Sequence, residues 1–215
     1  MDAKEYLHGA HQKAIVPDLI AASNLPLSVV FLVESPHYDE LLSGAPLTGG
    51  AGKLALNYIR DQTGSSEGLG PWLSHKIGVG NARAAIMNVS QVPLQEKAFD
   101  RARAVPLKPK LTPDEWRSLE RVRTKKPSVW TPEEDQLGQI LTGELQQRVS
   151  RLNTGTGAMV VPCGRFAKTF LESIVLPPGC SMLPVPHPAH SQWQQAKGQV
   201  AMNLVTARDI LLRSV

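Results

Sequence analysis

Three short segments carry residues able to do chemistry on a small polar ring. The first, FLVESPHYDELLSGAPLTGGAGKLALNYI (31–59), delivers Glu34, Ser35, Pro36 and His37 just past an apolar run, then places Gly44, Gly49, Gly50 and Gly52 ahead of a helical pattern. Backbone N–H groups freed at such a glycine-rich helix start can meet an anion such as a phosphate. The second, AAIMNVSQVP (84–93), holds Asn88 near the end of an otherwise apolar run. Alone, Asn88 reads as a strand-end cap or a turn residue. The third, LPVPHPAHSQW (183–193), carries His187, His190 and Trp193 in a proline-braced loop. Prolines on both sides of His187 restrict its backbone and aim its imidazole, which suits chemistry and a plain rigid turn alike. An acid, an amide and an imidazole in one cleft can read a planar amide-like heterocycle and stabilise an anion leaving from it.

The elements that must position these residues are legible as apolar runs of strand length at 28–33, 84–89, 158–163 and 181–185. Their apolar residues are consecutive rather than alternating, which suits strands covered on both faces, as in a parallel sheet. Helical patterns lie at 2–13, 52–62, 113–123, 132–152, 165–174 and 194–213, the fourth opened by Thr131-Pro132-Glu133-Glu134, a capping residue, a first-turn proline and acids. The alternation predicts an α/β fold, a three-layer α/β/α sandwich about a central, mostly parallel four-stranded sheet. Ligands bind outside the carboxyl ends of strands in such sheets. All three segments stand there, so Glu34, Asn88 and His187 are expected to converge on one edge.

A chain of 215 residues and 23.4 kDa suits one domain spanning 1–215. The stretch 94–131 breaks the rhythm and reads as a basic insertion after the second strand. It holds ten basic and five acidic residues, a balance of +5 in a chain of formal charge +4. A polyanionic partner is therefore permitted. At 42% apolar and 20% charged, the composition excludes a disordered or collagen-like chain, and nothing approaches the ~18 consecutive apolar residues of a membrane span. No hydrophobic signal core or cleavage signature opens the sequence, and Cys163 and Cys180 form no CxxC pair, so a cytoplasmic protein is expected. The HxxH spacings of His8 with His11 and His187 with His190 lack cysteine or acidic partners, and no metal site is expected. A nucleotide P-loop fails on spacing, because Leu47 and Leu54 stand where Gly and Ser or Thr are required.

Taken in order, the motifs VESPHYDE (33–40), SGAPLTGGAGKL (43–54), IMNVSQVP (86–93), VVPCGRFA (160–167) and HPA (187–189) resemble the uracil-DNA glycosylase superfamily, most of all its thermostable iron–sulfur branch. That branch has the patterns GEAPGxxED…GxPFVGxxGxLL, ITNVVKCRPP, a strand ending in LG, and HPA. The resemblance covers 28–193. It implies an α/β/α fold and hydrolysis of the bond between a flipped base and its deoxyribose. It also implies that Asn88 hydrogen-bonds the base edge, that His187 donates to the departing base's oxygen, and that Glu34 orients base-reading groups or the attacking water.

Four departures modify those expectations. Val92 stands at the middle-motif cysteine and neither Cys163 nor Cys180 falls at a ligand position, so no iron–sulfur cluster or other cofactor is expected. Leu47 replaces the phenylalanine that stacks on uracil, removing ~1–3 kcal/mol of stacking per base. Ser35 stands where relatives place Asp or Ala and cannot act as a strong base, which leaves that role to Glu34 or Asp39. His37 and Tyr38 stand where the closest branch has a glycine and a polar residue, in a region that borders the base's C5 edge. The expected protein is a monomeric, monofunctional DNA glycosylase that does not enter membranes. Its base would be uracil or another deaminated base in repair, or a bulky modified pyrimidine of phage DNA in antiviral defence. The alternative is an inactive nucleic-acid-binding module of the same fold. Glu34, Ser35, Asn88 and His187 would be catalytic; Pro36, His37, Leu47 and Asn88 would meet the base. Gly49, Gly50, Lys53, His190, Ser191, Arg101 and Arg103 would meet DNA, with Trp193 either wedging into the duplex or packing at the start of the last helix.

Overall fold

The computed structural model describes residues 1–21, 25–80 and 82–215. Among the described residues, five strands form one sheet: β1 (Leu19–Ile20), β2 (Leu27–Val33), β3 (Ala84–Asn88), β4 (Thr154–Pro162) and β5 (Ser181–Met182), in the order β1-β3-β2-β4-β5. The pairs β3/β2, β2/β4 and β4/β5 are parallel, and β1 runs antiparallel to β3 at the edge. The expected four strands are all present. The count is corrected to five by β1, a two-residue pair too short to show any periodicity. The consecutive apolar runs have the predicted cause: Val29 to Val33 and Ala84 to Met87 are all buried.

Eight α-helices accompany the sheet among the described residues: α1 (Ala3–Leu7), α2 (Tyr38–Ser43), α3 (Gly50–Ile59), α4 (Leu69–Gly78), α5 (Pro113–Thr124), α6 (Pro132–Val149), α7 (Arg165–Leu171) and α8 (Gly198–Arg213). α7 packs on β2 and β4, α8 on β2 and α4 on β1, while α1, α5 and α6 pack on one another. Thr131 caps α6 as its sequence predicts: its hydroxyl accepts from the Glu134 N–H, and the Glu134 carboxylate accepts from the Thr131 N–H. α5 is closed by the same device from Thr112 and Glu115. The pattern at 2–13 breaks after Leu7, where Gly9 takes a left-handed φ of 78°.

The segment 94–131 is built into the body of the fold. Trp116, Leu119 and Val122 recur on one face of α5 and are buried, each aliphatic contributing about 1.5–3 kcal/mol. Trp116 meets Tyr6 edge-on at 5.8 Å between ring centroids and Phe99 at 5.9 Å, and the Tyr6 hydroxyl donates to the Pro93 carbonyl at 3.0 Å. Arg121 pairs with the buried Glu134 and ties α5 to α6. Among the described residues no helix is long and apolar enough to cross a membrane.

Candidate functional site

The register places the site. Val33 pairs with Asn88, so β2 and β3 end level, and Glu34 emerges beside the end of β3. The main chain continues that alignment: Val89 N–H donates to Val33 O at 2.9 Å and Ser90 N–H to Glu34 O at 3.2 Å. On the other side Cys163 bridges to Val185, two residues before His187. A cavity of about 390 Å³ opens at this edge, with Glu34, Ser35, Asn88 and His187 all in its wall. The three segments therefore meet, as their positions in the sequence require.

Asn88 is 1% exposed, and neither its Oδ1 nor its Nδ2 has a partner among the described residues. Ser35 Oγ is buried in the same state. A buried polar group left unpaired costs ~1–3 kcal/mol, and two such residues in one cavity wall mark a place built for a ligand. The backbone behind Asn88 is held firmly. Arg148 Nη2 donates to the Asn88 and Val89 carbonyls at 2.9 and 2.6 Å, while Nη1 donates to both oxygens of Asp18 at 2.8 Å. Burial pushes the Asp18 carboxyl up, and the Arg148 guanidinium works against that.

His187 Nδ1 accepts from the Ala189 N–H at 3.2 Å, so the neutral ring carries its proton on Nε2. Burial lowers this imidazole below its ordinary range; Glu34 opposes the shift, while His190 and Arg123 reinforce it. The shift favours the neutral ring, whose Nε2–H can still donate. Gly164, at φ +95°, passes so close that a Cβ there would lie 3.0 Å from His187 Cβ. His37 opens toward the cavity mouth, its Nδ1 2.8 Å from the amide nitrogen of the buried Gln95. Desolvation lowers this ring too; Glu34 raises it, and Arg123, His187 and Lys97 lower it.

Glu34 is not a free carboxylate. Arg123 Nη1 donates to its Oε1 at 2.8 Å, and Nη2 donates to Glu120 at 2.7 Å. Glu40 is buried and accepts from the His37 N–H at 2.8 Å and from the Leu47 N–H. Desolvation pushes its carboxyl up to about 7 despite those two donors. The Leu47 turn that Glu40 braces has a left-handed φ of 52° and lies against glycines. A Cβ on Gly52 would sit 1.7 Å from the Leu47 carbonyl oxygen, and one on Gly70 would sit 1.8 Å from that of Pro46.

The cavity wall also takes in His37, Leu47, Gly49, Gly50 and Arg101 of the expected residues. Arg101 lies 4.5 Å over the Tyr38 ring and 3.9 Å from the Asp39 carboxylate. Pro36, Lys53, Arg103, His190 and Ser191 fall outside the wall. Lys53, Arg103 and His190 are exposed, Pro36 is buried, and His190 and Ser191 share a left-handed φ of 56° directly after the cavity-lining Ala189. Of its two readings Trp193 takes the packed one, which corrects its place among the DNA-contacting residues: it is 1% exposed, packs on Phe31 and Tyr58, and donates from Nε1 to the Pro186 carbonyl at 2.7 Å, so it belongs to the core. Sequence reasoning does not reach Arg123, Gln95, Glu40, Arg148 or Asp18 as site residues. Glu40 is the one within its range, four residues before Gly44 in a motif already singled out; the others face partners far along the chain. Among the described residues no three or more His, Cys, Asp or Glu side chains are grouped to hold a metal ion.

No protein-family model matches the chain, and no curated protein matches it.

Proposed function

We propose that the chain is a monofunctional DNA glycosylase, a monomeric three-layer α/β/α domain that hydrolyses the N-glycosidic bond of a flipped pyrimidine. One observation carries this reading: a buried amide at Asn88, without a partner among the described residues, shares a cavity wall with an imidazole whose neutral form donates from Nε2. The Asn88 amide pairs with the edge of the extruded ring. As the bond from the sugar C1′ to the base nitrogen breaks, its electron pair moves onto the base and charge builds on a ring oxygen. His187 Nε2–H stabilises that oxygen; one such donor is worth ~3 kcal/mol or more in other enzymes. Water adds to C1′ with its proton accepted on the Glu34 or Asp39 side of the cavity, and an abasic site remains.

The base is uracil or another deaminated base, or a bulky modified pyrimidine. A volume of about 390 Å³, with Leu47 in place of a stacking ring and His37 and Tyr38 reshaping the wall, supports a pocket for a different or enlarged pyrimidine beside one for uracil. Purified protein incubated with oligonucleotides carrying uracil, hypoxanthine, thymine opposite guanine, 5-hydroxymethylcytosine or its glucosylated form, followed by alkali, tests the reading. Strand scission at one of these bases is expected. Binding without scission at any of them overturns the enzyme in favour of a nucleic-acid-binding module.

A further inference from the structure

We propose that Arg123 is a positioning residue of this site, fixing the Glu34 carboxylate at the cavity wall and supplying the cation that offsets its charge for the two imidazoles. Arg123 comes from α5, within the segment whose basic residues otherwise suggest contact with a polyanion. Its side chain is only 15% exposed and turns inward, spanning 89 residues of sequence to reach Glu34, itself 19% exposed. Nη2 is anchored on Glu120 one turn back along α5, so the guanidinium fork is fixed at both tips. Arginine suits this place because its two prongs reach Glu34 and Glu120 at once, whereas a lysine in its place keeps the charge beside Glu34 but reaches only one of them.

The electrostatic consequence follows from what faces each ring. Around His187 stand Glu34 from the end of β2, Arg123 from α5 and His190 from its own loop. Around His37 stand the same Glu34 and Arg123, with His187 and Lys97. At both rings the carboxylate favours the protonated form and the guanidinium favours the neutral one. Removing Arg123 therefore leaves an uncompensated negative charge and moves both imidazoles toward protonation. Removing the Glu34 charge moves them the other way. A merely structural arginine would not produce opposite signs. The catalytic meaning of the pair rests on the glycosylase reading, whereas its effect on the rings does not.

The test is an NMR titration of histidine-labelled full-length protein in the absence of DNA, comparing wild type with R123M, R123K and E34Q. The His187 and His37 midpoints should rise in R123M, fall in E34Q and stay near wild type in R123K. If R123M does not give a folded spectrum, a fall in E34Q with wild-type midpoints in R123K is the supporting result. Unchanged midpoints, or shifts of the same sign in R123M and E34Q, overturn the inference. In parallel, the pH limb of base release set by His187 should move upward in R123M. Wild type that releases no base defeats the glycosylase reading while the titration still decides the role of Arg123; unchanged midpoints in an active enzyme defeat this inference alone.

Discussion

Replacing Asn88 by leucine should make the protein more stable and inactive at once. Leucine has the same number of side-chain heavy atoms and branches at the same carbon, and the cavity beside it gives the larger methyl groups room. The substitution removes two buried polar atoms that have no partner among the described residues, each costing ~1–3 kcal/mol. Water entering the cavity recovers part of that cost, so a net gain of about 2 kcal/mol is expected. The grip of Arg148 is on the Asn88 main-chain carbonyl and survives the change. At ~2–4 °C per kcal/mol for a domain of this size, Tm should rise by ~4–8 °C. Urea unfolding followed by tryptophan fluorescence reads the same gain as a higher midpoint at unchanged slope. Base release should vanish in the same preparation. A less stable N88L would show that the amide braces its loop, and a stable variant that still releases base would show that Asn88 does not read it.

Other expectations concern the frame and the surface. R148M leaves the buried Asp18 carboxylate without its counter-charge, with only Asn88 and Gln91 still donating to it, and uncaps two carbonyls, so a loss of ~3–5 kcal/mol in urea unfolding is expected, part of it recovered when D18L is added. Glu40 has a folded pKa of about 7 against an ordinary 4.5, so the folded state holds a proton that the unfolded chain has lost. Its contribution is full below about pH 4.5 and is lost as pH rises through 7; E40Q, though less stable, should flatten the fall in unfolding free energy across that window. G52A drives a Cβ into the Leu47 carbonyl and should cost ~1–3 kcal/mol or more in the same assay. R103Q with K110Q should flatten the salt dependence of DNA affinity by ~0.9 in log–log slope for each phosphate no longer neutralised; an unchanged slope removes these two residues from the interface.

The sheet is readable because β2, β3 and the second half of β4 are apolar on consecutive positions, a pattern that needs no partner to be recognised. What the sequence conceals is short or masked by punctuation. β1 spans two residues, and α4 contains Gly70-Pro71, a pair that reads as a loop. Gly70 is there because the Pro46 carbonyl leaves no space for a side chain, and Pro71 sits in the first turn, where its missing N–H costs nothing. α2 is six residues between Pro36 and the left-handed Gly44, too short to establish a period. Glu34, Asn88 and His187 are legible as strand-end residues, since topology alone brings such positions together. Arg123 and Arg148 are not, because their acids lie 89 and 130 residues away and nothing local distinguishes an inward arginine from a solvated one. Trp193 misleads for a related reason: the histidine loop looks exposed in sequence, but the chain turns back and seats the indole on Phe31.

The two walls of the cavity differ in how mutation can change them. On one side the turn at Pro46–Thr48 meets Gly52, Gly68 and Gly70 through main-chain atoms, so its shape is set by backbone that no substitution short of disruption can move. On the other, Lys97 and Arg101 offer long side chains, one of them resting on Tyr38 and Asp39 near solvent. Variation in what the cavity accepts is thus inexpensive on the second wall and prohibitive on the first. A lineage adapting to new ligands, or a library built to retarget the protein, should accumulate its changes at 97, 101, 38 and 37 while the glycines stay fixed.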